Sequence, residues 1–516
     1  MAGDVRMAEL LVAFSAVADL GMGLPVGEAA RTAWVAVHLA RATGCPEPEV
    51  ADVFAAALLQ HIGCTAYSHE VSLLFADETM VKRTALETDF TRPQEVALGW
   101  VPRVVRESAP GEKLRSLRSA LLHSRRMTDG YQLANCEAAS VVARRLELPD
   151  GVRTGLLDVF EWWNGGGGPR GLRGEAISPV SRMVNVAGYA VLFDRLGGPD
   201  AAVTAVAQRS GGYLDPGVAA VFARHARDVL GPTGAGDFSD RLLAAEPGPR
   251  PTVPDERLDD VLRVFGDAVD LKSPFLHGHS TAVGALAAGA ARRIGMGAAQ
   301  VALVRRAGIV QDVGRVTVPT SVWEHPGALG TDAWSQVRLH AYHSEQMLAR
   351  CPALAALAPL AGMHHDRLDG SGYHRGAAAA HLPMAARLLG VADAAVALRA
   401  DRPHRAALPA DRAAAALRAE ARAGRFDTDA VEAVLAVAAG VTGTRRARPA
   451  GLTDRQVTVL RLLSRGLSNR AIAAELVISP RTAEHHVQDV YTRIGVSSRA
   501  AAALYAMQHG LLAEDG

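Results

Sequence analysis

The sequence has few residues that could form disulfides or a zinc site, and no long apolar segment. Among 516 residues there are four cysteines, and their spacing matches neither a tetrahedral zinc site nor a disulfide framework, so we expect reduced thiols: Cys45, Cys64, Cys136 and Cys351. No apolar run of about eighteen residues occurs, and no basic segment leads into an apolar stretch near the N-terminus. The sequence therefore predicts no membrane partner and a cytoplasmic location.

Aromatic residues and net charge are also scarce. Aromatics make up 5% of the chain, and the formal net charge of +1 gives no overall field that would attract nucleic acid, so any DNA contact requires a local patch. What is abundant is Ala, Leu, Val and Arg, which favours helices over sheets. The length predicts about three domains, and the fold class expected is all-α.

Two stretches rich in Pro and Gly interrupt the helical periodicity. They run over residues 246–254 (EPGPRPTVP) and 440–451 (GVTGTRRARPAG), and the second is also basic. They predict two helical domains at 1–245 and 255–440, a basic linker at 441–450 and a C-terminal domain at 451–516.

The first two segments contain an internal repeat. The stretch from Val159 (VFEWWNGGGGPRGLRGEAISPVSRMVNVAG) aligns without gaps over the stretch from His364 (HHDRLDGSGYHRGAAAAHLPMAARLLGVAD). A shorter match sets residues 60–63 (QHIG) against 311–314 (QDVG), and extending the first alignment places Asn135 opposite His340. The two segments are therefore predicted to be two copies of one helical domain.

The C-terminal segment has consistent helix signals. Thr453 and Gln456 form a capping-box pattern, Ser468 is an N-cap, and Ser479 precedes Pro480 at the start of a third helix. In that helix four apolar residues recur at steps of four, three and four and predict a buried stripe: Ala483, Val487, Val490 and Ile494. Two short helices joined by a tight turn fit a major groove, although an ordinary small bundle with a solvated face has the same geometry.

The run LTDRQVTVLRLLSRGLSNRAIAAELVISPRTAEHHVQDVYTRIGVSSRAAA resembles the LuxR-type helix-turn-helix family over its whole length. The resemblance implies a DNA-binding set whose base-edge contacts come from Glu484, His485 and Gln488. Ser468, Arg481 and Thr482 are implied at phosphates, with Asn469 in the same set. Because one such helix reads only a few base pairs, a homodimer on double-stranded DNA is expected.

The middle segment carries imidazoles and carboxylates without thiolates, a donor set that suits iron or manganese. The motifs GHSTAV, HHDRLDGSGYHRG and VADAAVALRADRPHR resemble the HD-GYP family of metal-dependent cyclic di-GMP phosphodiesterases. The resemblance implies one metal position from His279, Asp312 and Asp393, and a neighbouring one from Asp312, His340, His364 and His365. It implies catalytic roles for Asp312 and Arg315 and a nucleotide-binding set of Arg367, Asp369, Gly370, Gly372, Tyr373 and Arg387.

Three departures weaken the catalytic interpretation. Gln311 replaces the His of the family's His-Asp pair, Arg315 replaces the following Lys, and His374 replaces the Pro of the Gly-Tyr-Pro signature. An incomplete site could hold one divalent metal, bind a nucleotide without turnover, or serve only as scaffold.

The first copy lacks most of these donors. Val159, Phe160 and Gly188 lie opposite His364, His365 and Asp393, so metal binding is not expected there. Its glycine-rich turn at 165–168, with Arg170, Arg173 and Arg182 nearby, either cradles an anionic ligand or simply makes the turn.

The sequence thus predicts a transcriptional regulator in which HD-type helical domains sense a ligand, a cyclic dinucleotide or a metal, and set the geometry of a dimer. Two alternatives stay open. One is an active cyclic di-GMP phosphodiesterase fused to a DNA-binding domain, and the other is a DNA-binding dimer whose helical body recruits partners.

Overall fold

The structure is a computed structural model, and it describes residues 4–75, 77–107, 111, 113–114, 117–118, 124–231, 238–440 and 449–512. The chain divides into a first unit, Met1–Arg257, and a second unit, Leu258–Gly516. The all-α prediction is confirmed: the regular elements of the described residues are helices, apart from one antiparallel pair of two-residue strands, Val5–Arg6 and Thr252–Val253, with Val5 opposite Val253. Within these residues, no helix has the length and apolar character needed to cross a bilayer.

The first unit is built from α-helices of very different length. They are Met7–Gly21, Glu28–Ala42, Glu47–Leu59, Ser68–Ser72, Glu78–Glu87, Pro93–Glu95, Val101–Glu107, Ser124–Arg145, Asp150–Leu157, Pro179–Arg209, Pro216–Leu230 and Ser239–Ala244. A π-helical turn covers Val96–Trp100, and a 3-10 turn covers Gly174–Ala176. The helix Pro179–Arg209 is kinked where Gly197 and Gly198 leave helical backbone angles, just before Pro199.

The helices of the second unit begin close to its boundary and fall into an HD-like bundle and a C-terminal domain. The bundle contains Asp255–Asp270, His279–Arg293, Ala298–Val310, Thr320–Trp323, Thr331–Ala349, Ala358–Met363, Met384–Arg399, Ala410–Arg422 and Thr428–Gly440. The C-terminal domain contains Asp454–Ser464, Asn469–Glu475, Pro480–Ile494 and Arg499–Gln508. Short 3-10 turns cover Pro274–Leu276, Val313–Thr317, Ala379–His381 and Pro449–Gly451. Most of the basic linker predicted at 441–450 lies outside the described residues.

Close backbone approaches repeat between the two copies. A Cβ on Gly63 would lie 2.3 Å from the Asn135 carbonyl oxygen, and a Cβ on Gly314 would lie 2.1 Å from that of His340. Gly167 and Gly372 are likewise pressed against the backbone of the segments that begin at Phe160 and His365. Both aligned stretches of the repeat therefore occupy equivalent places in a shared scaffold.

The structure extends the repeat to helices that the alignment did not reach. Glu28–Ala42 and His279–Arg293 each have 15 residues and begin after a glycine in the left-handed region, Gly27 or Gly278. In each copy an aspartate of the preceding helix accepts hydrogen bonds at this helix start, Asp19 from Gly27 and Ala29, and Asp270 from Ser280. Glu28 consequently stands where the second copy has His279.

The C-terminal domain follows its predicted caps. Thr453 and Gln456 form a complete capping box, Ser468 and Ser479 cap the next two helices through their hydroxyls, and Gly495 ends the third in the left-handed conformation. The predicted stripe is buried, with exposures from 0% to 7%, against Val459, Leu460 and Ile472. This packing leaves the opposite face of Pro480–Ile494 open to solvent.

Candidate metal centre and DNA-binding surface

Six side chains converge in the second copy, and we call them the donor cluster. They group as His279, Asp312 and Asp393, and as His340, His364 and His365, with one ligand atom of each member within 4.8 Å of the others in its group. Five are buried and His365 is nearly so. Residues far apart in sequence thus meet at one place, as the resemblance implied for them.

Each donor is placed at a helix end or on a helix face. His279 is the first residue of His279–Arg293, and Asp312 lies two residues after the end of Ala298–Val310, just before the 3-10 turn Val313–Thr317. His340 and Asp393 lie inside Thr331–Ala349 and Met384–Arg399, whereas His364 and His365 follow Ala358–Met363. The close approach of Gly314 to the His340 backbone holds the loop of Asp312 against the helix that carries this histidine.

Asp312 is at the centre of the donor cluster. Its Oδ2 lies 3.3 Å from His279 Nε2, and its Oδ1 lies 3.2 Å from His340 Nε2 and 3.4 Å from His364 Nε2. His279 Nε2 is also 2.9 Å from Asp393 Oδ1. Burial alone would raise the pKa of Asp312, but the Arg315 guanidinium and the hydrogen bond from His279 hold this pKa well below its ordinary value. Two buried carboxylates therefore stay ionised among imidazoles.

The tautomers of two histidines prepare them for a cation. The Nδ1–H of His340 donates to Val337 O at 2.5 Å, and that of His364 donates to Ala361 O at 2.6 Å, because a carbonyl can only accept. Their Nε2 atoms then both carry lone pairs, and they face each other at 3.2 Å. Backbone bonds of this kind orient imidazole ligands in metal sites, so the arrangement fits a bound divalent ion.

Gln311 is tied into the same site. Its Nε2 donates to Asp393 Oδ1 at 3.1 Å, whereas its buried Oε1 has no hydrogen-bond partner among the described residues. The reverse amide orientation would set two oxygens against each other. The free Oε1 can therefore act as a weak neutral ligand where imidazole is missing.

Two arginines place positive charge near the buried carboxylates of Asp312 and Asp393. Arg315 Nε lies 2.9 Å from Asp312 Oδ1, and its guanidinium stacks 5.2 Å from the Trp323 ring centroid. Sequence reasoning missed Arg402, which donates to Phe275 O at 3.1 Å. Burial lowers the pKa of Arg402 to about 10, as does Arg315, while Asp312 and Asp393 oppose the shift. Arg402 stands within the quoted ADRPHR run, but no spacing rule singled it out.

The predicted nucleotide-binding set is only partly gathered at the donor cluster. Tyr373 stacks on His365 with ring centroids 4.2 Å apart, and Gly372 must be small because a Cβ would lie 2.7 Å from His365 O. The Arg367 guanidinium lies over the Phe426 ring, 4.5 Å from the ring centroid.

The other three members make their contacts elsewhere. Asp369 accepts from Ser371, Gly370 makes the turn with φ of +78°, and Arg387 binds Asp427 at 3.0 Å. In the first copy, Arg170 and Arg182 are paired in the same way with Asp158 and Asp215. These arginines stabilise the scaffold through carboxylates of their own copy.

The predicted DNA-binding residues lie on one exposed side of the C-terminal domain. Arg481, Thr482, Glu484, His485 and Gln488 are exposed on Pro480–Ile494. Ser468 is also exposed at the start of Asn469–Glu475, and Asn469 accepts from Arg499 at 2.9 Å. The surface combines a helix N-terminus with hydrogen-bonding side chains, which suits phosphate and base-edge contacts.

Comparisons with known proteins match the two domains in which these sites lie. Residues 263–430 match the HD domain family, and residues 450–506 match the bacterial regulatory proteins of the luxR family. The 3′3′-cGAMP-specific phosphodiesterase 3 of Vibrio cholerae serotype O1 is 29% identical over 412 residues, which cover 79% of this chain and 90% of that protein. The transcriptional regulatory protein YdfI of Bacillus subtilis (strain 168) is 39% identical over 64 residues, 12% of this chain and 30% of that protein.

A solved structure extends the likeness to the fold. The crystal structure of the cyclic GMP-AMP specific phosphodiesterase V-cGAP3 of V. cholerae aligns with a TM-score of 0.59 and 26% identity, covering 86% of this chain and 99% of that one. Such coverage extends over both units, so the paired helical copies are shared. The chain thus joins an HD domain, at residues 263–430, to a LuxR-type helix-turn-helix domain at residues 450–506.

Proposed function

We propose that this protein is a sequence-specific transcriptional regulator, acting as a homodimer on double-stranded DNA, in which the donor cluster binds a divalent metal and a cyclic dinucleotide and thereby sets how the recognition helices are presented. One observation carries the proposal: the C-terminal domain packs directly on the residues that precede a member of the donor cluster. A ligand bound at the cluster then has a short physical route to the DNA-binding surface.

The packing consists of specific polar contacts. The Nδ1–H of His277 donates to Ser464 O at 2.7 Å, and the backbone N–H of Gly278 lies 3.1 Å from Met507 Sδ. Ser464 ends the first helix of the C-terminal domain, and Met507 lies in its last helix. His279 directly follows Gly278 in the chain. A movement of the His279 backbone therefore displaces Gly278 and its contact with Met507.

A second contact leads to the same place. Arg465 Nη2 lies 3.2 Å from Asp401 Oδ2, and Asp401 adjoins Arg402, whose charge interacts with those of Asp312 and Asp393 in the donor cluster. The pair is half exposed and therefore weak by itself. The ion pair matters because of where it lies: a polyanionic ligand that binds Arg402 also moves the neighbouring Asp401, and with it the contact to Arg465.

A cyclic dinucleotide is the ligand class that fits these groups. When bound, a divalent metal supplies positive charge and Lewis acidity toward a phosphodiester. Arg315 and Arg402 add fixed positive charge beside it, and Tyr373 offers a ring face next to His365. The V. cholerae phosphodiesterases named above are, by their names, specific for such a dinucleotide, which supports this choice.

The test measures DNA affinity with and without ligand. A duplex selected from a random pool is titrated with the full chain, alone, with Mn²⁺, and with Mn²⁺ plus 3′3′-cGAMP or cyclic di-GMP. We expect a change in Kd of about fivefold or more, which is the usual size of allosteric coupling. Asp401→Ala should reduce this change and leave the affinity without ligand nearly the same. A Kd indifferent to every addition would refute ligand sensing, and an absence of salt-sensitive DNA binding would refute the regulatory role.

A second candidate function is phosphodiester hydrolysis by the HD domain. The observation in its favour is that the donor cluster is complete apart from the Gln311 position, with lone pairs already facing one another. Purified protein loaded with Fe²⁺ or Mn²⁺ is assayed for cleavage of 3′3′-cGAMP and cyclic di-GMP. Turnover that disappears in Asp312→Ala and rises in Gln311→His would favour the enzyme over a non-catalytic sensor.

A further inference from the structure

The first copy contains a cavity at the place where the second copy holds its donor cluster. Its volume is about 110 Å³. Five of its lining residues are the counterparts of donors: Glu28, His61, Val159, Phe160 and Gly188 replace His279, Asp312, His364, His365 and Asp393. The loss of metal ligands has therefore left an opening that the fold has not refilled.

Gly188 shows how much room remains. A Cβ at this position would find its nearest neighbours at 3.6 Å, Gln60 Oε1, and at 4.0 Å, Thr32 Cγ2. In the second copy the equivalent position carries the carboxylate of Asp393. Gly63 and Gly167 of the same copy are pressed against backbone, whereas Gly188 lines the cavity and has open space beside it.

Aromatic rings form one side of the cavity. The rings of Trp162 and Tyr213 lie with centroids 4.2 Å apart at 32°, and Tyr189 meets Tyr213 edge-on at 5.7 Å. Phe160 completes this wall. Flat apolar faces held in fixed positions bind planar rings well, because little side-chain freedom is lost on binding.

The polar side of the cavity has almost no free charge. Gln60, His61 and Asn185 supply hydrogen-bonding groups, and burial lowers the pKa of His61 to about 4, which keeps this imidazole neutral. Among the described lining residues Glu28 is the one that carries a charge, and Arg195 Nε lies 3.3 Å from both of its carboxylate oxygens. No lysine or arginine is found among these described lining residues, so they supply none of the cations that a phosphate requires.

We propose that this cavity is a binding site for a single uncharged planar ring, of the size of a pyrimidine base, stacked on the aromatic wall and hydrogen-bonded by Gln60, His61 or Asn185. Size supports one ring, since an engineered apolar cavity of about 150 Å³ holds one benzene molecule. Charge excludes the phosphodiester expected at the donor cluster. The site is separate from the one proposed above and does not depend on it.

The experiment uses the full chain and defined probes. Uracil, cytosine and phenol serve as single uncharged rings, adenine as an oversized ring, and inorganic phosphate and cyclic di-GMP as anions. Binding is measured by isothermal titration calorimetry and by quenching of tryptophan fluorescence, to which Trp162 contributes. We expect saturable binding of at least one single-ring probe and at least tenfold weaker binding of adenine and phosphate.

Gly188→Leu fills the cavity and should weaken ring binding at least tenfold without lowering the melting temperature. Gly231→Leu is the matched control, because a Cβ there meets nothing within 4 Å and it does not line the cavity. His61→Gln gives a second reading if the leucine variant fails to fold, and it should weaken probes that accept or donate hydrogen bonds more than phenol. No binding of any single-ring probe, or equal binding by wild type and Gly188→Leu, would overturn the proposal. Binding of cyclic di-GMP that Gly188→Leu abolishes would also overturn it.

Discussion

The two helical copies share a scaffold and differ in chemistry. In both, a glycine, Gly63 or Gly314, is pressed against the backbone of a later helix. In both, the helix that begins at Glu28 or His279 is capped by an aspartate from the helix before it. The side chains that point into the central site differ between the copies. Backbone approaches and caps are therefore what this fold requires, whereas metal donors can be lost without loss of the bundle.

Electrostatics separate the copies further. In the second copy Asp312 and Asp393 are held ionised by imidazoles and Arg315, which suits a cation. In the first copy His61, at the position of Asp312, is neutral and sits beside aromatic rings. The same place in the fold thus presents possible metal-ligand atoms in one copy and an uncharged aromatic cavity in the other.

The largest effect is expected from exchanging the central residues. Asp312→His removes the carboxylate that contacts three histidines, so Mn²⁺ affinity should fall by more than about 100-fold. His61→Asp should create no site, since Val159 and Phe160 offer no ligand atoms. Metal content after equilibrium dialysis is measured by plasma mass spectrometry. Equal metal content in wild type and Asp312→His would contradict the proposed difference in metal binding between the two copies.

A second large effect is expected at the shared glycines. Gly63→Ala and Gly314→Ala place a methyl group 2.3 Å and 2.1 Å from a backbone carbonyl oxygen, so the helices must separate. Each should lower the free energy of unfolding of its own unit by about 3 kcal/mol or more. Hydrogen exchange of peptides from each unit gives the measurement, with Gly188→Ala as the control. If only one of the pair destabilised its unit, the copies would not share this feature.

Much of this organisation could be predicted from the sequence, for identifiable reasons. The C-terminal domain was predictable because local signals coincide: the Thr453 capping box, the Ser479 cap and the stripe that ends at Ile494. The repeat was visible where glycines demand the same close approach, as at Gly167 and Gly372. Such constraints depend on a few neighbouring residues, so they leave a readable pattern.

Other features depend on contacts that no spacing reveals. The equivalence of Glu28 and His279 was missed because the interval between Gly63 and Asn135 is much longer than that between Gly314 and His340, which shifts the alignment. Arg402 was missed because its position beside the carboxylates arises from tertiary packing. The cavity of the first copy could not be predicted from the sequence either, because an unfilled volume depends on how several helices pack together.

The third prediction concerns pH and the neutral histidine. Burial lowers the pKa of His61 from 6.5 to about 4. Between these two pH values His61 is protonated in the unfolded chain and neutral in the folded first unit. The free energy of unfolding should therefore decrease as the pH falls through this window, by up to about 3 kcal/mol. His61→Gln should flatten this dependence. Hydrogen exchange of peptides from Glu47–Leu59 between pH 4 and 7, corrected for intrinsic rates, measures it, and exposed His225→Gln is the control.

The smallest effect tests the scaffold arginines, which were candidates for ligand binding in both copies. Arg182 and Arg387 each bind an aspartate that caps the last long helix of its copy, Asp215 at 2.9 Å and Asp427 at 3.0 Å. Asp215→Asn and Asp427→Asn keep a capping oxygen and remove the charge. Each should therefore cost only about 1 kcal/mol in its own unit, since these pairs are partly exposed. If Asp427→Asn instead weakened cyclic dinucleotide binding without a matching loss of stability, Arg387 would belong to the ligand site after all, and the two copies would differ at this pair as well as at the donor cluster.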